Sequence, residues 1–207
     1  MKEEKVLDEL LYVEEPTPTF GMNPKKFMLW LFIVSIVMIF ASLTSAYIVK
    51  QADSAWLSIE LPKVLWYSTG VLLLSSLSAQ MAYRAGKQGN RKRSSAFLLI
   101  TLALGLLFLA MQWMGWVDLV RRGIFFGGVD YEGNPANPAG SFIYVLMGVH
   151  AFHLIAGLIY WLIVIVMKKK TEAQQENWRL HLEMSTIFWH FLDGLWVYLF
   201  LFLLLNR

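Results

Sequence analysis

His181-Leu-Glu183-Met-Ser-Thr-Ile-Phe-Trp189-His190-Phe-Leu-Asp193-Gly-Leu-Trp196-Val-Tyr198 is the centre of an apolar run from Trp178 to Leu205. The run is apolar enough to cross a bilayer, yet Glu183, His190 and Asp193 lie inside it or at its mouth, where an unpaired charge costs about 2.5 kcal/mol or more. On a helix turning about 100° per residue, Glu183 and His190 project within about 20° of each other, and Asp193 lies about 60° further round. One face is therefore polar. Thr186 and Gly194 share it, which suits close packing against a neighbouring helix, while Phe191, Leu195, Phe202 and Leu203 turn toward lipid or core.

Working outward, the whole chain has this character. Of 207 residues, 57% are hydrophobic and 16% charged, more apolar and less charged than a soluble domain. The sequence predicts an integral membrane protein. Its formal charge of +3 sits at segment ends rather than in a basic patch with interleaved aromatics, so nucleic acid is not an expected partner. Cysteine is absent, which excludes disulfides, thiolate zinc sites, iron–sulfur clusters and thiolate-bridged copper in this chain.

Five runs read as spans of an all-α, polytopic fold: about 27–49, 64–83, 94–117, 141–167 and 180–205. The first, Phe27 to Val49, has 23 residues without a charge, longer than the roughly 30 Å hydrocarbon core at about 1.5 Å per residue. The second carries Ser68, Thr69, Ser75, Ser76 and Ser78 among leucines, small residues that favour close helix contact in lipid. Residues 27–207 then form one membrane domain. Residues 1–26 form a polar arm interrupted by prolines, without the apolar centre of a cleavable leader. Asp118 to Gly140 reads as the longest loop.

Five crossings put the termini on opposite sides. Lys2, Lys5, Lys25, Lys26, Arg84, Lys87, Arg91, Lys92, Arg93, Lys168, Lys169, Lys170 and Arg179 fall on the side of the amino terminus. Lys50, Lys63, Arg121, Arg122 and Arg207 fall on the other. The bias predicts a cytoplasmic amino terminus and an outward carboxyl terminus.

The candidate polar sites are Glu183, His190 and Asp193, with His150 and His153 on the fourth span. His150 and His153 are one turn apart and could chelate one metal, but they are too close to serve as axial ligands of two stacked haems. Alternatively, each imidazole hydrogen-bonds a group on the next helix. For Glu183, His190 and Asp193 two readings stand: a paired network locking the last helix to its neighbour, or a proton-exchanging or lipid-headgroup site. Trp189, Trp196 and Tyr198 read as packing and interface anchors.

These residues carry a resemblance. Gly140-Ser-Phe, Gly148-Val-His150-Ala-Phe-His153-Leu-Ile-Ala-Gly157 and His181-x-Glu183-x(5)-Trp189-His190-Phe-x-Asp193-x-x-Trp196 resemble, in order and spacing, the two carboxy-terminal helices of subunit III of the haem–copper terminal oxidases. Tyr47, Gln112 and Trp116 are weaker echoes, and the five-span layout is similar to the shorter bacterial form. The resemblance implies a non-catalytic subunit of a proton-pumping oxidase, most simply a cytochrome c oxidase, in a bacterial inner membrane. Such a chain binds no haem or copper of its own; those belong to partner catalytic subunits. It would contact subunit I directly, join subunit II and others, bind phospholipid and support proton uptake. Two positions depart from the family pattern: Ile36 stands where a buried glutamate is usual, and Gly115 where a second acid is common. Two rivals within the family are a subunit III of a quinol oxidase and a homologue associated with nitric oxide reductase. A rival of another class is a small proton channel or transporter along Glu183, His190 and Asp193, although the chain lacks the paired Gly/Pro-broken spans of that class.

Overall fold

The computed structural model describes residues 23–52, 59–127, 138–167 and 171–206. The described residues form five helices: α1 (Pro24–Gln51), α2 (Val64–Lys87), α3 (Arg91–Arg121), α4 (Pro138–Val166) and α5 (Glu172–Leu205). All except α2 are long and apolar enough to cross a membrane. Most of the polar arm lies outside the described residues.

Each helix runs past its apolar stretch, and local chemistry shows why. Asn23 caps α1, its Oδ1 accepting from Lys25 N at 3.0 Å, with Pro24 in the first turn where its missing N–H costs nothing. An Arg122–Asp118 ion pair at 2.7 Å closes the end of α3, so Asp118 to Arg121 are helical rather than loop. Thr171 and Gln174 form a reciprocal capping box that starts α5 at Glu172, and most of the polar connection before the fifth span is helical too. Between α2 and α3 the chain turns at Gly89, whose φ of 78° favours glycine.

The helices α2, α3, α4 and α5 form a closed ring of contacts, and α1 lies outside it against α4 and α5 only. The narrow attachment of α1 is visible in its sequence: Leu29, Ile33, Ile36, Phe40, Thr44 and Tyr47 are buried, one residue per turn, while most of the rest is exposed. Clamps hold both ends to α5. At one end Lys26 Nζ meets Glu183 Oε1 at 2.7 Å and Lys25 Nζ donates to Asn177 Oδ1 at 3.1 Å. At the other, Tyr47 Oη and Gln51 Nε2 donate to the Asn206 carbonyl at 3.0 and 3.1 Å. Hence α1 and α5 run parallel.

Trp189 is the centre of the ring. It is fully buried, meets Trp161 edge-on at 6.3 Å and lies over Gly105 of α3 and Gly157 of α4. A Cβ on Gly105 would stand 2.7 Å from Leu158 Cδ2 and 2.9 Å from the Trp189 ring, so only a hydrogen fits there. Gly105→Leu should therefore lower the thermal midpoint of the detergent-solubilised chain, an overpacking cost of about 1–3 kcal/mol. Gly70→Ala, where nothing lies within 4 Å of the added carbon, should melt at or above wild type.

Candidate functional site: a polar seam inside the bundle

The seam between α2 and α5 joins hydroxyls to indoles and an imidazole. Trp196 Nε1 donates to Thr69 Oγ1 at 3.0 Å, and Trp189 Nε1 donates to Ser75 Oγ at 3.0 Å. His190 bonds Ser76 Oγ through Nδ1 at 2.6 Å and Gln80 Oε1 through Nε2 at 3.1 Å. Residue numbers rise along α2 as they fall along α5, so the two helices are antiparallel and held in one register. Thr69 and Ser75 spend their own protons on carbonyls within α2, those of Leu65 and Leu72. Their lone pairs remain for the indoles. Because Gln80 Oε1 can only accept, His190 carries its proton on Nε2, and Nδ1 accepts from the Ser76 hydroxyl.

Asp193 lies beside this seam, 3% exposed, with neither carboxyl oxygen hydrogen-bonded. Ser76 also faces that carboxyl, but a hydroxyl has one proton, and its bond at 2.6 Å is to His190. Asp193 and His190 thus share a helix face without bonding each other. Glu183 stands apart, toward the amino-terminal end of α5, paired with Lys26.

Neither histidine of α4 hydrogen-bonds a group on the next helix among the described residues. His153 Nδ1 donates to the Val149 carbonyl of its own helix at 2.8 Å and sits among the rings of Phe32, Phe40 and Phe152. His150 is fully buried with both nitrogens unbonded, between Trp196 at 5.1 Å and Phe108 at 6.2 Å. Among the described residues no three or more His, Asp or Glu gather as a metal site. His181 makes a cross-helix bond, its Nδ1 lying 3.0 Å from Tyr160 Oη of α4.

Ile36, at the first position that departs from the family pattern, is fully buried in the α1 stripe, and a Cβ on Gly115 would touch Leu65 at 3.4 Å. Gln80 is the seam residue that sequence reasoning missed. Its signal was weak: one amide four residues before Arg84, separated from His190 by more than a hundred residues of chain. Trp189 and Trp196 are more than anchors, since both are buried and both donate across the seam.

Comparison with known proteins follows the same pattern. The family model described as cytochrome c oxidase subunit III matches residues 16–206. Cytochrome bo(3) ubiquinol oxidase subunit 3 of Buchnera aphidicola subsp. Acyrthosiphon pisum (strain APS) is 31% identical over 189 residues, 88% of this chain and 86% of that one. Quinol oxidase subunit 3 of Bacillus spizizenii is 28% identical over 83% of this chain and 81% of its own length. Cytochrome c oxidase subunit 3 of Ornithorhynchus anatinus is 29% identical over 64% of this chain and 46% of its own.

The geometry separates His190 from Asp193 in a melting experiment. His190→Ala strands Ser76 and Gln80 and should cost about 1–3 kcal/mol. Asp193→Leu removes a carboxyl that bonds nothing here and should leave the midpoint of the isolated chain unchanged or higher. Equal losses in both variants would mean that the acid is bonded within the chain after all.

Proposed function

The chain belongs to the subunit III family of the haem–copper oxidases, and from that premise we propose that it is the colourless, non-catalytic subunit of a proton-pumping terminal oxidase in a bacterial inner membrane. The observation that carries this reading is the family match over residues 16–206. The architecture is in keeping with it. Polar side chains here join helix to helix, as a scaffold requires, and the one adjacent pair of imidazoles is spent on a backbone carbonyl and on aromatic packing. In this reading haem and copper reside in subunits I and II, subunit I is the direct contact, and electrons never enter this chain.

For the electron donor, the sequence reading favours cytochrome c. A second reading, quinol, is favoured by the names of several relatives that match over most of both lengths. Phospholipid binding and support of proton uptake are part of the proposal. With Ile36 in place of the family glutamate, the acids available for a proton role are Glu183, near the membrane surface, and Asp193, about 15 Å deeper at about 1.5 Å per residue.

Five crossings and a cytoplasmic amino terminus complete the reading. α2 is the least apolar helix because of its hydroxyls, but Ser68, Ser75 and Ser78 are buried. Its outer surface is Trp66, Tyr67, Leu73, Leu74, Leu77 and Met81, all exposed, and that surface suits lipid. At 24 residues the helix is about 36 Å long, enough to span.

Two experiments test the proposal. A tagged chain extracted from its native membrane in mild detergent should bring down haem a, o or b absorbance, and the complex should oxidise reduced cytochrome c or quinol; an eluate without haem would sink it. The natural absence of cysteine allows single-cysteine mapping in spheroplasts. Lys87→Cys should react with an impermeant maleimide only after lysis, and Arg122→Cys before it; the reverse order would invert the topology.

A further inference from the structure

One stripe of α5 is left open by its own fold. On a helical wheel Ile187, Gly194, Leu201 and Leu205 fall within about 40° of one another, and all four are exposed or half-exposed. On one flank of this stripe α5 bonds α2 through Trp189, His190 and Trp196. On the other it meets α1 through Phe188, Tyr198 and Phe202. Among the described residues no Cα of α1 comes within 8 Å of a Cα of α2, although the two helices are consecutive in the chain. On the same wheel the residues facing α2 and those facing α1 centre on nearly opposite sides of α5, so at axial spacings of about 8–10 Å the two helix axes stand roughly 16–20 Å apart. A further helix laid on the open stripe of α5 at the same spacing fits between them.

The chemistry of the groove says what fills it. His190, Ser76 and Gln80 are half-buried at its α2 wall. The Gln80 carboxamide oxygen is taken by His190, and its nitrogen has no partner among the described residues. Two N–H donors therefore face a region where acyl chains offer no acceptor. Gly194 lies eleven residues beyond Glu183, about 16 Å deeper at about 1.5 Å per residue and close to mid-bilayer, beyond the reach of lipid headgroups. A Cβ there would meet nothing within 4 Å, so the backbone of α5 is open to close approach. Small residues and polar donors together are what helix–helix association in lipid uses.

We propose that the groove between α1 and α2, floored by α5 around Gly194, seats a transmembrane helix of the oxidase's catalytic subunit. That helix presents a small residue to Gly194 and a hydroxyl, carbonyl or carboxyl oxygen to Gln80. The proposal rests on the oxidase reading above and adds the face through which the subunit docks.

The test uses the complete complex in native membranes. A photoreactive benzoylphenylalanine is placed at Leu201 on the groove floor and, in a second strain, at Ile155 on the exposed face of α4, a residue that is 45% exposed. Irradiation should join the Leu201 probe, and not the Ile155 probe, to the haem-bearing polypeptide. Gly194→Trp should remove haem absorbance from the eluate of the tagged chain while the chain itself stays in the membrane fraction. Adducts at Leu201 that contain only phospholipid, adducts to the haem-bearing subunit from Ile155 alone, or full haem retention by Gly194→Trp would each overturn the groove assignment. Failure of the wild-type chain to recover haem would instead overturn the oxidase reading itself, and the groove with it.

Discussion

A hydrocarbon interior supplies no hydrogen-bond partners, so a polar side chain placed in it either finds one on another helix or goes without. The seam between α2 and α5 follows from that constraint. Thr69 and Ser75 of α2 each donate to a carbonyl of their own helix and accept an indole from α5, so that one hydroxyl satisfies a carbonyl and an N–H together. Individual bonds of this kind contribute only about 0.6–2 kcal/mol. Their larger effect is on register, because moving α2 by one residue would unmake the bonds of Thr69, Ser75, Ser76 and Gln80 at once. Trp189 then transmits that register to α3 and α4, whose glycines accept its ring.

The same constraint explains what was legible in the sequence. Five helices could be read from hydropathy and basic ends, although the last of them starts eight residues before the apolar run read as 180–205. The ends were missed because they depend on caps: Asn23, Thr171 with Gln174, and the Asp118–Arg122 pair extend helices into stretches that hydropathy reads as loop. The importance of the final helix was also legible, since Glu183, His190 and Asp193 violate the apolar pattern around them. Their partners were not. Ser76 and Gln80 of α2, and Lys26 of α1, are brought to them only by tertiary packing, and a periodicity argument assigns faces but not mates.

Not every polar group inside the bundle is satisfied. Asp193 and His150, along with Gln112 Oε1 and the indole nitrogens of Trp116 and Trp161, have no hydrogen bond among the described residues. Around His150 aromatic faces stand in for partners, with Trp196 and Phe108 on its ring. A chain optimised only for its own stability would replace such groups with leucine, because an unmade buried bond costs about 1–3 kcal/mol. Departures from local consistency of this kind gather where a protein does something beyond folding. Here Asp193 lies beside the α2–α5 seam, and His150 and Trp161 lie against its indoles, Trp196 and Trp189.

The outlying position of α1 bears on how the molecule is made. Synthesised before the other four described helices, this helix packs against none of them until the last two have been made, and it must wait in the bilayer, which its long uncharged stretch permits. The next two segments, joined by a three-residue turn at Gly89, can enter as a hairpin whose hydroxyls face each other: Ser78 and Thr101 bond one another, and Ser94 reaches the Ala82 carbonyl. The helix α5, made last of the five, would then thread between the waiting helix and the hairpin and tie both to the nascent assembly.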